Sequence, residues 1–353
     1  MKSKVTMQDI ADRLNISKNS VSQALSGKDG VSEETRQLVI DIAEQMGYVY
    51  PASRKKQRME ASGRIALIAS DFAFARKSFF GEIYLSVEQE TRQRGKNLLI
   101  QSIDKDSERS LTLPPFLENQ DVDGILILSH LSTAYTNKVI DTGMPTVLID
   151  HHHPAIEADC ILTNNRFSAY NAVHHLIELG HRNIGFMGNI EFSPSYYERL
   201  EGFRLALYEH EIKANPDWVI TDATEQSEYV INRMKEIQTQ PTAWFCVNDG
   251  LGFLINSALH QLGFRVPDDI SICSFDNGQL SRLATPQTTT VDVDLKLFGR
   301  KAVERLFWRI ENKNEPCMEI LLPTKLIVRE STAKPRPEEI QATRNDSETG
   351  PES

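Results

Sequence analysis

Over the first 47 residues the apolar positions recur three and four apart in three short runs, the spacing of helices with one buried stripe. In the first run Ile10, Ala11 and Leu14 make the inner face, Thr6 stands at the N-cap, and Asp9 follows three residues on as its capping-box partner. Asn15 suits the left-handed turn that follows. Ser17 opens a second helix on Val21, Ala24 and Leu25 that ends near "SGKDG". Ser32 opens a third, with Glu33 and Glu34 at its positive end, Leu38, Val39, Ile42, Ala43 and Met46 inside, and Gly47 as its stop. From Ile65 the rhythm changes to short apolar runs between amphipathic helices: "IALIAS", "NLLIQSI", "GILILS", "PTVLID", "NIGFMG", "WVIT", "AWFCVN" and "ISICSF". Such alternation predicts α/β architecture with parallel sheets covered on both faces, and the number of runs favours two lobes over one sheet. Past Arg329 apolar residues thin out, so the tail is expected to be disordered.

A chain of 353 residues is long enough for two or three folded units. Its net charge of -10 argues against a polyanion partner, but the distribution qualifies this. Residues 1–60 carry 10 Lys+Arg against 8 Asp+Glu, and the remainder 29 against 41, so nucleic-acid contact is expected only in the N-terminal sixth. Within "PASRKKQRMEASG", residues 51–63, four cations (Arg54, Lys55, Lys56 and Arg58) crowd together beside the first buried strand. Cys160, Cys246, Cys273 and Cys317 are far apart and are read as reduced core thiols. The opening "MKSKVTMQDIADRL" turns amphipathic at once, and no apolar run reaches the ~20 residues of a membrane span, so a soluble cytoplasmic protein without membrane contact is expected.

Two short helices joined by a tight turn match the helix-turn-helix, whose second helix enters the major groove. The outer face of that helix offers Lys18, Asn19, Ser20, Ser22 and Gln23. Lys suits guanine O6/N7 and Asn or Gln suits adenine N6/N7, while Ser17 and Ser22 could bind phosphate. Periodicity alone leaves a plain three-helix bundle with a solvated face equally open.

The segments "TMQDIADRLNISKNSVSQALSG" and "VSEETRQLVIDIAEQMGY" resemble the headpiece of the lactose-repressor (LacI/GalR) family of bacterial transcription regulators. The resemblance continues in family order through "VDGILIL", "HHLIELGHRNIGFMG", "ERLEGFRLAL", "CVNDG", "RVPDDISICSFDN", "TTTVDV" and "LLPTKLIVREST". It implies a ligand-responsive repressor: a homodimer on double-stranded operator DNA, with a body similar to periplasmic sugar-binding proteins. The implied organisation is a headpiece at 1–50, a linker at 51–63, a two-lobed body at 64–332 and a disordered tail at 333–353. Lobe one would take about 64–162 and 292–322, and lobe two about 163–291 and 323–332. Lys18, Asn19 and Gln23 fall at the family's base-reading positions, with Gln23 where many members have Arg. The linker departs from the family's minor-groove hinge helix, with Ala52 where Asn is common, Lys55 where Ala is common and Arg58 at the leucine wedge. Arg54, Lys55, Lys56 and Arg58 are therefore expected to touch DNA electrostatically with little kink. The tail lacks leucine heptads, which argues for a dimer without a tetramerisation segment.

Ligands of two-lobed α/β bodies bind at the carboxyl ends of the strands. There stand Ser70, Asp71, Ser129, Asp150, Asn165, Asn248 and Asp276, with Arg199 in "RLEGF" and Phe79 and Phe80 after the first strand. Such a set can share hydrogen bonds with sugar hydroxyls and cover a ring face, although Asp and Asn also end strands because they suit turns. The resemblance aligns Arg199, Asn248, Asp276 and Asp150 with effector-contacting positions and implies a sugar or sugar derivative as effector. Asn164 departs from it by standing where Asp is frequent. The histidines of "DHHHP" are consecutive in a loop and do not predict a metal site. Phosphate-loop, dinucleotide and hydrolase signatures are lacking, so neither cofactor nor catalysis is expected. The competing class is an enzyme acting on a small polar metabolite in the interlobe cleft. A secreted solute-binding protein is set aside because of the headpiece and the amphipathic start.

Overall fold

The computed structural model describes residues 5–26, 30–48, 62–71, 73, 79–129 and 131–336. The four linker cations, Met59 and tail residues 337–353 lie outside them.

Three helices, α1 (Met7–Leu14), α2 (Lys18–Ser26) and α3 (Glu33–Gln45), form the headpiece. The capping box closes in both directions between Thr6 and Asp9, and Asn15 ends α1 at φ 51°. The Ser17 and Ser32 hydroxyls accept the amides of Ser20 and Thr35 at 3.0 and 3.2 Å. Ile10, Ala11, Val21, Ala24, Leu25, Val39 and Ala43 fill the core. Leu38, expected inside, is 52% exposed. It sits one position before Val39, and 100° per residue turns it off the buried stripe.

The body is built on two six-stranded sheets. Sheet one contains β1 (Arg64–Ser70), β2 (Asn97–Ile103), β3 (Gly124–Leu128), β4 (Thr146–Ile149), β5 (Asp159–Thr163) and β11 (Glu319–Leu322), all parallel, in the order β11-β5-β4-β3-β1-β2. Sheet two contains β6 (Ile184–Met187), β7 (Val219–Ile220), β8 (Ala243–Cys246), β9 (Ser271–Asp276), β10 (Thr289–Val293) and β12 (Thr324–Ile327). Its order is β12-β10-β9-β8-β6-β7, and only β12 runs antiparallel. All eight predicted runs contain strands. The four unforeseen ones, β5, β10, β11 and β12, lie where the chain passes between the sheets, at Asn164, Asp294 and Pro323. Two are short runs mixed with polar residues, and "TTVDV" and "DCILT" lack the continuous apolar character that marked the others.

Central strands β3, β4 and β5 are buried throughout, whereas β2, read as a covered strand, is an edge with Ile100 40% exposed. Cys160, Cys246 and Cys273 are buried, but Cys317 is exposed, in the turn before β11. Residues 333–336 do not begin a disordered tail. Ala333 donates to the Ser271 hydroxyl at 3.0 Å, its carbonyl lies 2.9 Å from His181 Nε2, and Arg336 pairs with Asp269 at 2.6 Å.

Candidate functional site

Two places gather the expected residues. On the headpiece, the start of α2 presents Ser17, Lys18 and Asn19 to solvent, with Ser20, Ser22 and Gln23 half-buried. Ser17 and Ser20 are already engaged with each other, their hydroxyl oxygens 2.8 Å apart at the cap. Lys18 and Asn19 make no side-chain hydrogen bond among the described residues, so their polar atoms are available to an incoming partner. Gln23 lies back against Gly30, whose φ of +120° and missing side chain leave room: a Cβ there would stand 3.1 Å from the Gln23 amide. Arg36 donates to the carbonyls of Gln23 and Ala24 at 3.4 and 3.2 Å, anchoring the end of α2.

The second place is the crevice at the carboxyl ends of both sheets, and its centre is Arg199. This residue lies one turn into the helix Pro194–Glu209, which Ser193 caps and Pro194 starts. Gly202 lets that helix press against the helix Asn165–Glu178, because a Cβ would meet the Arg166 carbonyl. Arg199 is 2% exposed, and its guanidinium carbon stands 3.6 Å from the Phe275 ring centroid. Nε donates to Asn165 Oδ1 at 2.9 Å, and Nη1 donates to the Val247 carbonyl at 2.5 Å and to Asp276 at 3.2 Å.

Asn165 completes its amide by donating to Glu198 at 2.9 Å. Asn248 uses its oxygen to cap the helix Asp249–Gln261, accepting from Leu251 at 2.8 Å. Its nitrogen donates to the Tyr196 hydroxyl at 2.6 Å and to Glu225 at 2.8 Å. Asp150, from sheet one, accepts from the Ser195 hydroxyl of the other lobe at 3.2 Å. Burial pushes its carboxyl up to about 6, helped by Glu198 and opposed by Arg199, Ser195 and His152.

Asp249 accepts from Ser274, Thr290 and the Gly278 amide, fixing the loop that follows Asp276, and burial raises its pKa. Ser129, Asp150, Asp276 and Asn277 all take positive φ (64°, 57°, 107° and 53°). Such strain persists where the surroundings over-determine the backbone, as at binding sites.

Not every expected residue joins this network. Asp71 is exposed and accepts from Ser102 on β2. Phe80 belongs to the core and meets Phe79 edge-on at 5.1 Å, while Phe79 lines a cavity of about 180 Å³ with Glu225, Asn248 and Asp276. Ser129 is fully buried. The Ser70 and Thr163 hydroxyls, at the ends of β1 and β5, are buried without a hydrogen-bond partner among the described residues. A larger cavity of about 630 Å³ shares Asp276 and is bounded by Glu82, Asn277, Arg282, Asp292 and Lys296.

Sequence reasoning missed Ser195, Tyr196, Glu198, Glu225 and Asp249. Ser195, Tyr196 and Glu198 carried a signal as neighbours of Arg199 on one helix, and Asp249 as the neighbour of Asn248 in "CVNDG", whereas Glu225 carried none. His152 of "DHHHP" pairs with Glu198 at 3.0 Å and Glu319 at 3.3 Å.

Comparison with known proteins covers both places. Residues 6–50 match the model of bacterial regulatory proteins, lacI family, and residues 173–332 match a periplasmic binding protein-like domain. The chain is 31% identical over 330 residues to the ribose operon repressor of Haemophilus influenzae, covering 92% of this chain and 98% of that relative. It is 29% identical over 333 residues to the transcriptional repressor PurR of Pasteurella multocida, with the same coverages, 92% and 98%. The solved complex of the transcriptional regulator CelR with cellobiose superposes with a TM-score of 0.69 at 25% identity, over 93% of this chain and 99% of that one.

Proposed function

Because this chain belongs to the lacI family of bacterial regulatory proteins, we propose that it is a cytoplasmic, homodimeric repressor whose grip on operator DNA is set by a sugar or sugar derivative between its lobes. The observation that carries the effector half is the network around buried Arg199. It joins groups from both lobes at the carboxyl ends of their strands, where ligands of such folds sit. Acceptors at Asp276 and Glu225, the Ser70 and Thr163 hydroxyls that have no partner among the described residues, and the Phe79 ring suit a polyhydroxylated molecule. On the DNA side, Lys18 and Asn19 are exposed at the start of α2 without side-chain hydrogen bonds among the described residues, and Gln23 reaches DNA by swinging off Gly30.

The relatives that span nearly the whole chain are transcriptional repressors, which favours a regulator over an enzyme. Effector binding changes the closure of the lobes, the dimer transmits it to the headpieces, and a coupling of ~1–3 kcal/mol changes operator affinity about 5- to 150-fold. The test is operator selection from random DNA, followed by titration of the selected duplex with and without ribose, cellobiose and related sugars. A selected consensus without any sugar effect would leave the DNA half standing and remove the effector half.

A further inference from the structure

We infer that His152 is a positioning residue of the effector cleft, acting across the lobe boundary on Arg199 through Glu198 and Asn165; the inference rests on the effector reading above. His152 leaves the carboxyl end of β4 in sheet one, and its two ring nitrogens face two carboxylates. Nε2 is 3.0 Å from Glu198 Oε1 on the helix Pro194–Glu209 of the other lobe, and Nδ1 is 3.3 Å from Glu319 Oε1 on β11. The second oxygen of Glu198 accepts from Asn165 Nδ2 at 2.9 Å, and Asn165 Oδ1 accepts from Arg199 Nε at 2.9 Å. This path fixes the direction of the Asn165 amide. Turned over, it would set NH2 against guanidinium and oxygen against carboxylate.

The ring's protonation state decides whether the path is complete. A neutral imidazole carries no charge toward the two glutamates, whereas imidazolium is attracted to both carboxylates, Glu198 at 3.0 Å and Glu319 at 3.3 Å. The charged groups around it are Glu198 on the helix, Glu319 on β11 and Asp150 on its own loop, with Arg166 beyond Glu198. The close Glu198 carboxylate raises the His152 pKa above its ordinary 6.5 most strongly, burial opposes it next, and the charges of Glu198 and Glu319 add to the rise. A raised pKa gives the sign: the tether is fully present below pH 6.5 and is lost as pH rises through the higher value. A merely local ion pair at this half-buried place would contribute little and would leave Arg199 unmoved.

The test follows Arg199 itself, in the full chain without ligand. Histidine and arginine are isotopically labelled, and the imidazole and guanidinium Nε–H resonances are recorded across neutral pH, Arg199 being assigned by loss of its signal in Arg199→Lys. His152 should titrate above 6.5, and the Arg199 resonance should follow the same curve. With Asp150→Asn in every sample, which removes the titration of that neighbouring carboxyl near 6, the Arg199 curve should flatten in His152→Gln and stay at its acid position at every pH in His152→Arg. An Arg199 resonance that ignores the His152 titration, or that still moves in His152→Gln, overturns the inference. Since no sugar takes part, the result stands apart from whether any sugar changes operator affinity.

Discussion

The exposed start of α2 and the interlobe cleft are built on opposite plans. On α2 the residues of interest are neighbours in sequence, and Lys18 and Asn19 are exposed and without side-chain hydrogen bonds among the described residues. In the cleft, Asp150, Asn165, Arg199, Asn248 and Asp276 come from five separate segments, and the first four are at least nine-tenths buried and bonded to one another or to nearby groups. The difference teaches where stability and function are separable. An exposed side chain on α2 can be changed while the fold keeps its energy. Around Arg199, every substitution also disturbs a buried polar network, whose members cost more to orphan than to replace together.

The sharpest break of this contrast is Arg199→Ala. Removing one partner of a buried charged pair costs about 3–5 kcal/mol, and here Asn165 Oδ1 and the Val247 carbonyl also lose their donor. Calorimetry should show a lower melting temperature, and operator titration should show lost sugar response with operator binding kept. A normal response would place the ligand elsewhere.

Asp150→Asn should act in the reverse direction on stability. Its carboxyl is raised from 3.8 to about 6, so the favourable protonated form is fully present below 3.8 and lost as pH rises through about 6. At neutral pH the buried charge then costs roughly 3 kcal/mol. The amide keeps an acceptor for Ser195 without the charge, so the variant should melt higher than the parent above pH 6 and lose the advantage in acid. Equal melting at all pH values would mean that Asp150 is solvated.

Smaller effects belong to the headpiece. Asn19→Ala or Gln23→Ala should lower discrimination at one base pair per half-site by about 1–3 kcal/mol, with melting unchanged. Binding to selected and random duplexes separates the cases, since equal weakening on both would assign these residues to phosphate. Smallest is the linker: changing Arg54, Lys55, Lys56 and Arg58 to Gln should weaken all DNA alike. The slope of log K against log salt should flatten by up to ~0.9 for each phosphate that is no longer neutralised. An unchanged slope would make the segment a plain tether.

Legibility followed the same division. The caps of Thr6, Ser17 and Ser32, the left-handed Asn15 and the inner faces of α1 and α2 were readable because each depends on residues within one turn. Leu38 escaped because helical periodicity fixes a stripe only to within one position at its margin. The central strands declared themselves by continuous apolar character, but β5, β10, β11 and β12 did not, since two are edges and all lie where the chain changes lobe.

For the cleft, polar strand ends and the family resemblance pointed to Arg199, Asn248, Asp276 and Asp150. They did not show that Arg199 is stacked on Phe275, that Asp71 turns to Ser102, or that Phe80 is spent on the core. Nor did "DHHHP" reveal its partners, because Glu198 and Glu319 lie 46 and 167 residues along the chain. Sequence by itself determined the local elements, the alternation that makes two parallel sheets, and the residue types available to each site, for these depend on short-range sterics and hydrophobic period. Tertiary structure alone decided which polar groups meet and which carboxyl is raised by burial. Hydrogen bonds and desolvation depend on ångström distances between segments that only the packed lobes bring together.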